Sequence, residues 1–525
     1  MTQKQFAVSK LSLAVKVLVA GVAVGVLGSA SAAATDTTRM IVAFKPGKAA
    51  NVKSAVAAAK GSVKHEIMGM NAMSIEVSAN GLKGLQNNPN IEYIEVDEKR
   101  VPFAGTSPST GTPYALGQLV PYGIKQVQAD QLSDINAGNR KVCIIDSGYD
   151  RAHEDLSSGT NITGEYDAGT GWWYTDENSH GTHVAGTIAA LNNSGTGVVG
   201  VNANNKLKLH IVKVFSAAGW AYSSSLATAA NKCGAAGANV ISMSLGGGRS
   251  NRTEKNAFDK LAAAGVLSIA AAGNDGNTVV SYPAGYTSVM MVGAVDEAKA
   301  WATFSQYNSS VEIAGPGVNV LSTVPTGSGS APTLVVGGVT YAPGGMDGSP
   351  VKVATGALAN FGNGDVVTAG SMSGKVCLIS RGVIDFATKV MNCQNSGGVG
   401  AAIYNNVAGG FGGTMGTVVS TIPSVTASDA EGAAMMGQLG QSTTVGVAAN
   451  SYAYFDGTSM ATPHVSAVAA LVWSYFPTCT GAQIRASMNK SALDLGPVGK
   501  DNKYGNGLVQ AKTMHTRITN LGCGN

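Results

Sequence analysis

Ser459 stands in Gly457-Thr458-Ser459-Met460-Ala461-Thr462-Pro463-His464, between a glycine-bearing turn and the apolar run 465–472. That run reads as a buried helix. It places the hydroxyl near a helix N-terminus, where backbone N–H groups and the helix dipole favour negative charge. Acyl transfer needs such a place, because its tetrahedral intermediate carries an oxyanion. In isolation, an ordinary Gly-Thr-Ser helix cap would look the same. Pro463 is expected in the first helical turn, where its missing N–H loses no hydrogen bond. Two upstream motifs supply the partners such a serine requires. Val142-Cys143-Ile144-Ile145-Asp146-Ser147-Gly148 runs four apolar residues into an aspartate. This is the pattern of a buried parallel strand with a carboxylate at its C-terminal end. His180 opens His180-Gly181-Thr182-His183-Val184-Ala185-Gly186-Thr187, the start of a small-residue helix. An aspartate can orient a histidine, and the histidine can take the proton of a serine. The chain order Asp146, His180, Ser459 is one of the convergent orders for this chemistry.

The elements that must position these groups alternate along the chain. Strands are expected at 142–145, 209–214, 239–243, 266–270, 288–292 and 311–313. Helices are expected near 181–191, 222–233, 253–264 and 462–475. Such alternation implies an α/β fold, a doubly wound parallel sheet covered on both faces. Upstream, residues 39–100 read as strand, helix, strand, strand, helix, strand, a ferredoxin-like α+β unit. Residues 104–116 are a turn-rich linker, and residues 327–450 interrupt the alternation just before the serine motif.

The Asp146, His180 and Ser459 motifs, with Ala271-Ala272-Gly273-Asn274-Asp275-Gly276, resemble those of the subtilisin-like serine proteases, the subtilases. The resemblance covers nearly everything after about Gly117 except the interrupting segment. It implies that Asp146 orients, that His180 is base then acid, and that Ser459 is the nucleophile. It assigns the oxyanion amide to Asn274. Ser244, Leu245 and Gly246, with Ala271 and Gly273, match the two backbone segments that line the family's specificity pocket. They carry no charged side chain, so a preference for apolar or aromatic side chains is expected. Residues 35–103 are similar to the subtilase propeptide, which implies an inhibitor and chaperone whose tail lies in the active cleft. A permanently attached accessory domain is the other reading of that unit. The resemblance implies that residues 104–525 are the subtilisin-like domain, and residues 327–450 resemble an inserted protease-associated domain. Gly374-Lys375-Val376-Cys377-Leu378-Ile379-Ser380-Arg381-Gly382 and Gly398-Val399-Gly400-Ala401-Ala402-Ile403-Tyr404-Asn405-Asn406 carry that second resemblance. It implies substrate binding or gating, or a stabilising surface domain. The family's structural Ca2+ site falls on Gln118, Asp155 and Asn193, with carbonyls of Leu191, Thr196 and Val198.

Composition narrows the classes further. Formal charge is +4, with no basic cluster, so nucleic-acid binding has no support. Charged residues are 13% of the chain, and 69 of 525 residues are glycine, which fits a neutral, loop-rich, exported protein. Residues 1–34 read as a signal peptide: Lys4 and Lys10, the apolar stretch 17–27, then Ala30-Ser31-Ala32. A membrane anchor is the competing reading. Lys16 shortens the uncharged stretch against it, so a secreted, extracellular, soluble monomer is expected. Six cysteines suggest disulfides: Cys377 with Cys393 and Cys479 with Cys523, while Cys143 and Cys233 are a third bridge or two buried thiols. His180 and His183 have metal-binding spacing but lack the glutamate of a zinc-protease motif. Two functions remain: a secreted endopeptidase of broad specificity acting on proteins and peptides, or a non-catalytic peptide-binding protein on the same scaffold.

Overall fold

The computed structural model describes residues 37–106, 112, 114, 116–193, 195 and 197–525. The expected signal segment 1–34 and the expected calcium ligand Thr196 lie outside the described residues. The α/β expectation holds. A seven-stranded sheet runs in the order Val311–Pro316, Val289–Val295, Leu267–Ala271, Val240–Met243, Lys141–Asp146, Lys208–Lys213, Ile162–Gly164. Every pair in it is parallel. Its inner strands are buried on both faces, which is why they read as unbroken apolar runs.

The helix Thr458–Tyr475 packs on this sheet, and every residue of it but Tyr475 is buried. An all-round apolar sequence belongs to such an interior helix. It begins at Thr458, so Pro463 is its sixth residue, not part of its first turn. The missing proline N–H leaves the Ser459 carbonyl without its helical donor. The Ser244 hydroxyl donates to that carbonyl instead, at 2.7 Å. A helix that starts one turn earlier than expected thus carries Ser459 inside its first turn.

Residues 37–96 form a four-stranded antiparallel sheet with strand order Ser62–Glu66, Ala72–Ser78, Thr37–Phe44, Ile91–Val96, and two helices. This is the ferredoxin-like arrangement. Two of its carboxylates reach the N-termini of sheet-flanking helices. Asp97 accepts from Ser224 N and Oγ at 2.9 and 2.7 Å, opening the helix Ser223–Ala235. Glu95 accepts from Arg252 N and Thr253 N at 2.7 and 2.8 Å, opening Arg252–Ala263. Free N–H groups and the positive end of each dipole make these favourable docking points for anions. The interrupting segment hangs from an antiparallel pair, Val320–Thr323 with Tyr452–Asp456. Beyond it lies a second seven-stranded sheet built from Gly329–Val336, Ser442–Asn450 and the strands between them. Disulfides join Cys143 to Cys233, Cys377 to Cys393 and Cys479 to Cys523. The first ties the strand ending in Asp146 to the helix Ser223–Ala235.

Candidate active site

Asp146 is the last residue of the inner strand Lys141–Asp146 and is fully buried. Its Oδ1 accepts from the Ser147 N–H and pairs with His180 Nδ1, both at 2.7 Å. That pairing fixes the imidazole with Nε2 turned away from the carboxylate, and Nε2 makes no hydrogen bond among the described residues. His180 is the first residue of the helix His180–Ala189. Asp176 holds that helix end, accepting from Ser179 N at 2.9 Å and from Thr182 N and Oγ1 at 2.8 and 2.7 Å. Gly181 can be nothing larger, since a Cβ there would meet the Gly148 carbonyl at 2.3 Å.

Ser459 Oγ donates to the Ser244 carbonyl at 2.7 Å and accepts from the Phe103 N–H at 2.9 Å. The Phe103 carbonyl lies between two donors: Asn274 Nδ2 at 2.8 Å and the Ser459 N–H at 3.2 Å. Asn274 is held in that sense by Thr458, whose N and Oγ1 both donate to Asn274 Oδ1, at 3.0 and 2.8 Å. The two donors on Oδ1 settle which end of the amide faces Phe103. Thr458 Oγ1 in turn accepts from Gly273 N at 3.1 Å. Ser244 follows directly on the strand Val240–Met243, and Gly273 and Asn274 come within three residues of the end of Leu267–Ala271, so the groups gather at the carboxyl edge of the sheet. The structure therefore joins Asp146 to His180, and Ser459 to Asn274 across Phe103. It draws no hydrogen bond between His180 Nε2 and Ser459.

Phe103 belongs to the chain leaving the ferredoxin-like unit, which crosses the site as an extended strand. Lys99–Pro102 pairs antiparallel with Ala221–Tyr222 on one side and Leu245–Gly246 on the other. Gly105–Thr106 continues by pairing with Phe455–Asp456. The 103–104 peptide bond thus lies at Ser459 with chain paired on both sides. The Phe103 ring lies over Gly246, where a Cβ would meet ring carbon Cε2 at 2.7 Å. Gly273 faces Gln306, whose Oε1 a Cβ would strike at 1.7 Å. Three residues before Phe103 in the tail, Arg100 is buried against Glu254, with Nε and Nη2 donating to its two oxygens at 2.9 and 2.6 Å. Tyr286 donates to the same carboxylate at 2.7 Å. Burial first, then that carboxylate, push the Tyr286 hydroxyl far above its ordinary value. Sequence reading missed Glu254 and Thr458, which act through partners distant in the chain, and Asp176, which acts on backbone N–H groups at the helix end that no motif marks.

The remaining candidates divide. His183 is packed, not exposed: it is stacked on Phe455 at 4.3 Å, and Nε2 faces the carbonyls of Val320 and Ala453 at 3.0 and 3.1 Å. Burial lowers it to about 3, so it is neutral. Trp173 packs into the core while Trp172 is half-exposed and stacked on Tyr174. At the expected cation site, the Gln118 amide meets Leu191 O at 2.7 Å, Asn193 Oδ1 at 3.1 Å and Val198 O at 3.3 Å. Asp155 lies alongside, bonded by Asn193 Nδ2 and Val198 N, both at 2.8 Å. Gly197 lets the loop pass, since a Cβ would fall 2.0 Å from Asp155 Oδ2. Turning the Gln118 amide over would present a fourth oxygen, so this set suits a hard cation.

Residues 138–344 and 396–507 match the Subtilase family, 333–435 the PA domain, and 38–97 the Fervidolysin N-terminal prodomain. The chain is 35% identical over 315 residues to subtilisin amylosacchariticus of Bacillus subtilis subsp. amylosacchariticus, covering 57% of this chain and 77% of that protein. It is 39% identical over 264 residues to an alkaline protease of Alkalihalobacillus alcalophilus, covering 50% and 64%. Among solved structures, a psychrophilic subtilisin-like protease from the Antarctic psychrotroph Pseudoalteromonas sp. AS-11 is 45% identical, with a TM-score of 0.62, covering 78% of this chain and all of that one. Fervidolysin from Fervidobacterium pennivorans, a keratinolytic enzyme related to subtilisin, shares the fold at 22% identity and a TM-score of 0.58, covering 92% and 61%.

Proposed function

The chain belongs to the subtilase family of serine proteases, and we propose from this that it is a secreted endopeptidase that cuts through a Ser459 acyl-enzyme. One observation carries the reading: a peptide carbonyl, that of Phe103, is held by Asn274 Nδ2 and Ser459 N–H with Ser459 Oγ beside it. In the reaction His180 Nε2 takes the Ser459 proton as Oγ attacks that carbonyl carbon. Asp146 steadies the imidazolium through Nδ1. The oxyanion forms between two donors already aimed at it. The intermediate then collapses, the C–N bond breaks, and His180 returns the proton to the leaving amine. Water resolves the ester by the same proton path.

In the precursor, the bond so placed joins Phe103 to Ala104. Residues 35–103 are then the inhibitory propeptide, residues 104–525 the protease domain, and residues 327–450 its inserted protease-associated domain. Backbone pairing through Leu245–Gly246 and Ala221–Tyr222 accepts any extended chain, which favours breadth. The Phe103 ring over Gly246 supports an apolar or aromatic preference at the residue before the cut. A structural Ca2+ held by Gln118, Asp155, Asn193 and nearby carbonyls would tie the segment after the linker to the core. Its role is charge neutralisation among converging oxygens, without part in the chemistry. The test is the full chain with Ser459→Ala: the Phe103–Ala104 bond stays intact, casein is not digested, and a serine-directed fluorophosphonate leaves no label. Normal maturation of that variant in a protease-free host would overturn the reading.

A further inference from the structure

The pocket that holds Arg100 is built from groups of two different fates. Arg100 lies in the tail, three residues before Phe103, and is 1% exposed. Glu254 lies in the helix Arg252–Ala263 of the protease domain and is wholly buried. The guanidinium meets the carboxylate through Nε and Nη2 at 2.9 and 2.6 Å, the two-point fork that only arginine offers. Nη1 donates to the Lys99 carbonyl at 3.1 Å and Nη2 to the Arg249 carbonyl at 3.0 Å. Gly247 makes the room, since a Cβ would lie 2.5 Å from Lys99 O and 3.1 Å from Arg100 Nη1. Backbone pairing of Arg100 with Ala221 fixes its distance from the reacting carbonyl.

We propose that Glu254 is a specificity-determining residue: the matured protease selects substrates with arginine at the fourth residue before the cleaved bond. The inference rests on the reading of this site as a protease cleft. When the tail leaves, Glu254 keeps the Tyr286 hydroxyl on Oε2 and loses both guanidinium bonds. A carboxylate recessed in a pocket is costly to cover with anything that does not answer its charge and hydrogen bonds. An apolar side chain there buries it unpaired, and an acidic one repels it; arginine restores three hydrogen bonds to the protease at once, two to Glu254 and one to the Arg249 carbonyl. The site therefore discriminates by penalty as well as by attraction. Lysine brings the charge without the fork and ranks between arginine and alanine. The substrate class this defines is a basic-then-aromatic segment, Arg-Xaa-Xaa-Phe, within otherwise unrestricted extended chain.

The test uses enzyme matured from the full chain by its own processing, and quenched-fluorescent peptides Xaa-Val-Pro-Phe-Ala with Xaa varied. Arginine should exceed alanine in kcat/KM by about tenfold to a hundredfold, the usual range for a hydrogen-bonded charge partner. Citrulline, which keeps the shape and loses the charge, should fall to within about threefold of alanine, and glutamate below it. In Glu254→Gln the ratio of arginine to alanine should collapse to about threefold or less. Citrulline equal to arginine, or alanine or tyrosine equal to arginine, would overturn the proposal without any variant having to fold. An arginine preference that survives in Glu254→Gln would also overturn it. Should the matured enzyme cut all peptides equally, the subsite fails and the protease reading stands. Should it cut none, both fall.

Discussion

Replacing Asn274 by alanine should damage the chemistry and spare the binding. Two donors converge on the Phe103 carbonyl, and the Asn274 amide is the shorter contact, at 2.8 Å against 3.2 Å for the Ser459 N–H. Against a neutral carbonyl, one such bond contributes about 1 kcal/mol net. Against an oxyanion in a water-poor cleft it is worth about 3–4 kcal/mol. The difference, about 2–3 kcal/mol, is realised only in the transition state, so kcat should fall by about thirtyfold to a hundred-and-fifty-fold while KM changes by a few-fold. Thr458→Val should fall between variant and parent. It removes the Oγ1 bond to Asn274 Oδ1 and leaves the Thr458 N–H bond, so the amide is less firmly aimed; a loss of about tenfold is expected. Steady-state kinetics on a peptide amide give both parameters. Accumulation of uncut precursor gives an independent reading of the same step. Asn274→Ala enzyme with kcat within threefold of the parent, or with its whole defect in KM, would refute the oxyanion role.

Three further outcomes are expected. Excess chelator should lower the melting temperature and speed autolysis, because an ion that binds only the folded state stabilises it by mass action; a melting temperature indifferent to chelator would remove the site assigned to Gln118, Asp155 and Asn193, and Asp155→Ala should abolish the calcium response. Burial lowers His183 to about 3 and His464 to about 4, so the unfolded chain binds more protons than the folded one below about pH 6.5, and stability is present above that pH and lost as pH falls through it toward 4; carbon chemical shifts of both rings should stay in the neutral range down to acid unfolding, and titration near 6.5 in the folded protein would contradict this. Asp97→Ala should shorten the interval between cutting at Phe103 and the onset of casein digestion by at least about tenfold, since Asp97 is a buried carboxylate accepting from Arg39, Ser74, Ser223 and Ser224; an unchanged interval would mean that this contact does not hold the propeptide.

Much of the fold was legible because its determinants are short-range. Apolar runs such as 142–145, ended by Asp146 and a small-residue turn, report a buried parallel strand wherever they occur. The alternation of such runs with helical stretches determined the doubly wound class, and the strand–helix order of residues 37–96 determined the ferredoxin-like unit. One helix start lies earlier than the sequence implies: proline at 463 points to a beginning near 462, while the helix begins at Thr458 because Ser244, 215 positions from Ser459, supplies the donor that proline lacks. The same limit applies to the site. The residue types at 146, 180, 274 and 459 announced acyl transfer, since their motifs are local. What aims or selects is not local. Thr458 orients Asn274 across 184 residues, Asp97 meets Ser224 across 127, and Glu254 meets Arg100 across 154. A buried charge or an oriented amide is set by whichever partner the folded chain brings within about 3 Å, and no periodicity along the sequence encodes that choice. The sequence by itself determined the strands, helices and reacting groups; the tertiary structure alone decided which carboxylate answers which cation, because that pairing exists only once both have left water.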